Sequence, residues 1–235
     1  MREEWLKYLA AVAKVVAAAV LLGEAFSGVD ALLGWAGMPA TGLWLIAAPA
    51  IVHVTIIAAC YRAGTIAGRQ QILWLVASGP GWLLLAAVGC LLTAILVPVA
   101  NLDPTISLIP SHSNRPDLSW WLATVFLAPV LEEFVYRGIF SASFRRQYGN
   151  IVGSYFAAVL FAWVHARPTV AAVLAGNAGH IPPGPLLLAL VADWLYVKSG
   201  SIWVAVAFHA ACNATPAVFA AIDPRWLNWL GMLYQ

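Results

Sequence analysis

Two carboxylates and a guanidinium, Glu132, Glu133 and Arg137, sit inside the run LSWWLATVFLAPVLEEFVYRGIF at 118–140. No other feature constrains the fold of this chain as strongly. A charged side chain at the centre of a lipid-spanning helix costs about 2.5–3.5 kcal/mol unless it is paired or turned inward. These three residues must therefore face the interior of a bundle, where other side chains can answer them. Two further apolar segments each carry one histidine, His165 and His209, so the same argument applies three times.

Composition makes lipid the medium. The chain is 63% hydrophobic and 9% charged, where soluble domains hold about 45–50% apolar and about 25% charged residues. Mean hydropathy is +0.85. Seven apolar segments are expected, at 5–26, 41–61, 72–99, 118–144, 151–166, 184–197 and 201–222. A crossing needs about 20 apolar residues, so the length accommodates six to eight. The expected fold is all-α, a polytopic transmembrane helix bundle of about seven spans. Residues 1–235 form one integral membrane domain, and 223–235 (DPRWLNWLGMLYQ) ends in an interfacial tail helix. The third segment holds Gly79-Pro80-Gly81 and is expected to kink. The stretch 167–183, rich in Ala, Gly and Pro, is expected to form a re-entrant turn or a short interfacial helix. The N-terminal segment mixes Arg2, Glu3, Glu4 and Lys7, with Lys14 further in. It reads as a retained first helix rather than a cleavable leader, and Lys14 can snorkel.

Loop charges orient the bundle. With the N-terminus in the cytoplasm, Arg2, Lys7, Arg62, Arg69, Arg145, Arg146 and Lys198 fall inside, against Arg115, Arg167 and Arg225 outside. The expected location is a bacterial-type plasma membrane. A net charge of +2 offers no basic surface for nucleic acid. Cys60, Cys90 and Cys212 are far apart and in apolar runs, which argues for buried packing rather than disulfides or a cysteine-metal site.

Glu133 and Arg137 are four residues apart, share a helix face and can pair. Glu132 is rotated by about 100° and needs a partner from another helix, which suits a general base or acid. Pure charge locking of the bundle is the alternative. His165 ends the run Phe161-Ala-Trp-Val-His165, with Phe161 on the same face. On its own, such a histidine can equally bond a neighbouring carbonyl. His209 and Asn213 are again four apart, and they suit oxyanion stabilisation, metal binding or an interhelical polar clamp. Counted from the span ends, Glu132, His165, His209 and Asn213 differ in depth by only about 9 Å at about 1.5 Å per residue, so one site can hold them all. His53 and Glu24 lack a companion motif and are expected in packing or a water cavity. Asp193 is expected at the interface beside Trp194.

EExxxR at Glu132–Arg137, FxxxH at Phe161–His165 and HxxxN at His209–Asn213 occur in this order within 118–213. Together they resemble the CPBP family of intramembrane proteases, which includes the type II CAAX prenyl endopeptidases and bacterial relatives. The stretch LLLALVADWLYVKSGSIWVAVAFHAACN at 186–213 also looks like that family. The resemblance implies an intramembrane glutamate-type endopeptidase. Glu132, assisted by His165, would activate water. His209 and Asn213 would stabilise the oxyanion, and Glu133, Arg137 and Phe161 would orient the site. It implies no cofactor. An alternative reading of the same family is a zinc metalloprotease with Glu132, His165 and His209 as ligands, although HExxH, the common zincin pattern, is missing. Expected partners are a membrane-anchored or lipidated peptide or protein substrate and the bilayer. A non-catalytic immunity or scaffold protein that keeps the cluster for packing is the rival class, and a proton-coupled carrier a weaker third.

Overall fold

A computed structural model describes residues 2–37, 47–62, 122–177 and 179–222, with backbone alone for 2, 61, 62 and 215–222. Every described element is helical, and no strand occurs among the described residues. In chain order these are α1 (Arg2–Trp35), α2 (Ala47–Arg62), the helical segment α3 (122–148), α4 (Asn150–His165), α5 (Val170–Leu174), α6 (Pro183–Ser199) and α7 (Ile202–Ile222). The expected third span with its Gly-Pro-Gly kink, the tail helix at 223–235 and Trp120, Trp121, Trp226 and Trp229 lie outside the described residues.

Within α1, the stretch Glu3–Trp35 is long and apolar enough to cross a membrane. The apolar helices Ala47–Cys60, Asn150–His165 and Ile202–Ala214 are shorter than the roughly 20 residues of a full crossing. Helix α1 runs nine residues past its expected end at Phe26. Ser27, Gly28 and Asp30 look like loop residues, yet Asp30 holds Arg167 in an ion pair, and Glu24 Oε1 accepts the Val170 N–H at 2.7 Å. These contacts to the α4–α5 connection carry the helix on. That connection forms the short helix α5, capped by Thr169, whose hydroxyl accepts the Ala172 N–H at 3.1 Å.

Segment α3 alternates between two pitches. Leu122–Leu127 and Phe134–Ser141 are π-helical, while Ala128–Glu133 and Ala142–Tyr148 are α-helical. Pro129 lies at the start of the first α stretch. It has no N–H to bond the preceding turn, which leaves that turn free to widen. Wide π turns recur at functional sites, and the second one here carries Arg137. Helix α4 then folds back on α3 at Gly153, where a Cβ would stand 2.4 Å from the Arg145 nitrogen. Only glycine allows this crossing.

The core is built on Val135, Tyr136, Leu160, Phe161, Leu195, Ile202, Val204 and Phe208. Around the perimeter, Trp5, Leu6, Leu9, Leu21, Leu32 and Trp35 of α1 and Ile151 of α4 are exposed. This much outward apolar surface is unlike a water-facing protein. Near the N-terminal end of α1, Lys14 reaches Gln147 Oε1 at 2.7 Å and the Tyr148 hydroxyl at 3.2 Å, so the ammonium is answered by polar groups rather than left in hydrocarbon.

Candidate active site

The site assembles from α2, α3, α4 and α7. Glu133 and Arg137, both on α3, form the expected pair, with Arg137 Nε 3.0 Å from Glu133 Oε2 and both side chains fully enclosed. Arg137 also donates from Nη2 to the Ala189 carbonyl of α6 at 3.1 Å. Its guanidinium lies 4.8 Å from the centre of the Phe161 ring. The charge is thus held on three sides.

Glu133 has a second partner that local spacing does not reveal. Its Oε1 lies 2.8 Å from His209 Nδ1. A carboxylate only accepts, so His209 donates from Nδ1. The opposite nitrogen, Nε2, stands 3.8 Å from Glu132 Oε2. The carboxylate that lacks a partner on its own helix therefore meets one from α7, as its rotation on α3 requires. His209 sits between the two glutamates.

His165 Nδ1 lies 2.7 Å from the Phe161 carbonyl. A carbonyl can only accept, so Nδ1 carries the proton and the neutral ring keeps an acceptor at Nε2. The Phe161 ring touches both histidines, at 4.5 Å from the His165 ring centre and 5.8 Å from that of His209. Phe161 thus spaces Arg137, His165 and His209 at once.

A cavity of about 270 Å³ opens beside these groups, with Glu132, His165, His53, Tyr136, Phe26 and Arg167 in its wall. Glu132 and His165 thus share one cavity, and His209 Nε2 stands 3.8 Å from Glu132. Asn213 does not line it. It is buried, and its Nδ2 donates to the Thr124 carbonyl at 2.8 Å, which ties α7 to the first wide turn of α3.

His53 is a wall residue that motif spacing does not find. It is buried on α2 and contacts Phe26 and Tyr136 edge-on at 5.5 and 5.6 Å. Its only sequence signal is a histidine in an apolar run, which leaves packing and a water cavity equally open, and the structure puts it in the cavity wall. Arg167 is another such residue. Its φ of 48° lies in the left-handed region, a conformation that costs a non-glycine residue about 1–2 kcal/mol, and the Asp30 ion pair holds it there.

Asp193 corrects an expectation. It is buried rather than interfacial, and its carboxylate accepts the Ser141 hydroxyl. Helix α6 turns this residue towards α3 and leaves Trp194 outward, 47% exposed.

Among the described residues, no three His, Cys, Asp or Glu side chains converge as a metal shell. Both imidazoles are nonetheless anchored at Nδ1, one by a carbonyl and one by a carboxylate, which is how metal-binding histidines are commonly oriented.

A carboxylate and an imidazole in one cavity wall, beside a buried ion pair, are groups that can exchange protons with a bound molecule. Residues 114–215 match the family model described as type II CAAX prenyl endopeptidase Rce1-like. The matched region holds all three motifs and is less than half of the chain. Neither a curated protein nor a solved structure matches.

Proposed function

We propose that this chain is an integral membrane endopeptidase of glutamate type, acting on a membrane-anchored or lipidated peptide or protein. The observation that carries the reading is Glu132 and His165 in the wall of one cavity, with His209 Nε2 3.8 Å from the Glu132 carboxylate. The family match supports the reaction class, and the apolar composition supports the bilayer as its setting. The basic residues of the loops support an N-terminus on the cytoplasmic side, and the membrane proposed is a bacterial-type plasma membrane.

In this mechanism Glu132 takes a proton from water as the oxygen adds to the scissile carbonyl carbon. The acceptor Nε2 of His165 helps to hold that water. The resulting oxyanion is met by His209, while Asn213, one turn further along α7, holds that helix to the Thr124 carbonyl. His209 donates from Nε2 only when its ring carries both protons, and Glu133 on Nδ1 is the counter-ion such a ring requires. Collapse breaks the C–N bond, and Glu132 returns its proton to the leaving amine. Arg137, held by Phe161 and Ala189, fixes Glu133 and through it the ring of His209.

One observation favours a second reading. The Nδ1 anchoring of both imidazoles leaves two Nε2 atoms that, with Glu132, are donor types zinc takes, although among the described residues they do not stand together as a metal shell. Zinc there would polarise the carbonyl or the attacking water.

The test is a substrate search. Membrane proteomes are compared between a deletion strain complemented with the native chain and one complemented with Glu132→Ala. Cleavage products that require Glu132 are expected. Identical proteomes would favour the scaffold reading instead.

A further inference from the structure

A second concavity lies at the opposite end of α4 from the cavity above. It measures about 440 Å³ and is lined by Arg145, Arg146, Asn150, Tyr196, Val197 and Gly200. Three helix ends meet there, the C-terminal ends of α3 and α6 and the start of α4. Arg145 is 13 residues along α3 from Glu132, roughly 20 Å at about 1.5 Å per residue, so this pocket is separate from the proposed reaction centre.

Among the described residues its charge is unanswered. The ion pairs among the described residues engage Arg137, Arg167 and His209, and neither Arg145 nor Arg146 takes part in one. Asp193, one turn from Tyr196, is buried and takes its hydrogen bond from Ser141. Arg145 is half-buried and stacks on Tyr196, its guanidinium carbon 5.1 Å from the ring centre. Arg146 is exposed beside it. One guanidinium is therefore fixed and the other is free to close on a ligand.

The surroundings of the pocket are amphiphilic. Val197 in its wall is 42% exposed, and Trp194, one turn earlier on the same face of α6, is 47% exposed. Tryptophan in such a position marks a membrane–water boundary. A ligand that suits this site carries a compact anion for two guanidinium groups and apolar chains for the outer face of α6. Guanidinium forks match phosphate oxygens in geometry as well as charge.

We propose that the pocket binds the phosphate of an anionic phospholipid headgroup, with Arg145 as the fixed contact and Arg146 as the closing one. The lipid would tie α3, α4 and α6 together at the end of the bundle away from the cavity. It is a structural ligand, distinct from any substrate.

The test uses the purified full chain in neutral detergent. Thermal unfolding is followed as dioleoylphosphatidylglycerol, dioleoylphosphatidylcholine or inorganic phosphate is added. Phosphatidylglycerol is expected to raise the midpoint, with the other two doing little. Arg145→Gln with Arg146→Gln should abolish most of that shift, whereas lysine at both positions should keep part of it. If the double variant fails to fold, Arg146→Gln alone carries the test, because that side chain is exposed. Its apparent affinity for phosphatidylglycerol should fall about fivefold, the effect of one basic group near an anionic surface. An unchanged affinity in this variant would overturn the proposal. So would equal shifts with the two lipids, and so would inorganic phosphate reproducing the shift, which would make the site one for free phosphate.

Discussion

The Nδ1 atom of His209 and Oε1 of Glu133 lie 2.8 Å apart across 76 positions of sequence. This contact joins the buried ion pair on α3 to the helix that carries HxxxN. Glu133 consequently serves two partners with two oxygens, Arg137 through Oε2 and His209 through Oε1. A change at Glu133 is a change at His209, and the paired carboxylates divide their work. Glu133 holds the site together, and Glu132 faces the cavity.

Glu132→Gln should abolish cleavage and leave the helical bundle intact. The amide keeps the size of the side chain but cannot accept a proton from water. Thermal unfolding in detergent should stay near the native midpoint while Glu132-dependent products disappear. Cleavage retained by this variant would remove Glu132 from the role of base.

Glu133→Ala and Arg137→Ala should each destabilise the fold by about 3–5 kcal/mol, because each strands a charge with no solvent to receive it. The double variant should lose less than the two losses added. A denaturation cycle on the four proteins measures the coupling, and simple additivity would mean that the 3.0 Å pair carries no energy of its own.

Gly23→Ala should unfasten the cavity rim. A Cβ there would lie 2.0 Å from the Pro168 carbonyl oxygen, which belongs to the backbone and cannot rotate away. The expected cost is about 1–3 kcal/mol from overpacking, with a loss of activity as the neighbouring Arg167 shifts. Gly28→Ala, where nothing lies within 4 Å, is the control and should be neutral or slightly stabilising. A Gly23→Ala protein as stable and active as the control would show that the loop yields freely.

Asn213→Ala should slow cleavage without abolishing it, because the bond from Nδ2 to the Thr124 carbonyl that seats α7 against α3 is lost. Under the glutamate mechanism a chelator should leave activity unchanged. Elemental analysis of purified active protein distinguishes the readings. One zinc per chain, lost together with activity, would install the metal mechanism in place of the glutamate one.

What could be read from the sequence was local. Glu133 and Arg137, Phe161 and His165, and His209 and Asn213 are each four residues apart, and that spacing alone puts each pair on one helix face. The helical class, the extents of α4 and α7 and the need of Glu132 for a partner from elsewhere follow from the same local rules. The tertiary structure decided which faces meet. Helices that are apolar nearly all round have no polar side to announce their rotation, so no pattern in the sequence could say that Asp193 turns inward and Trp194 outward. Nor could it say that Asn213 reaches Thr124, that His53 joins the cavity wall, or that α1 continues past Phe26 to hold Arg167. Those outcomes rest on close approach at Gly23 and Gly153, on the wide turns of α3 and on which buried charge can find an acceptor across a helix boundary. They are properties of the packed bundle and not of any one of its segments.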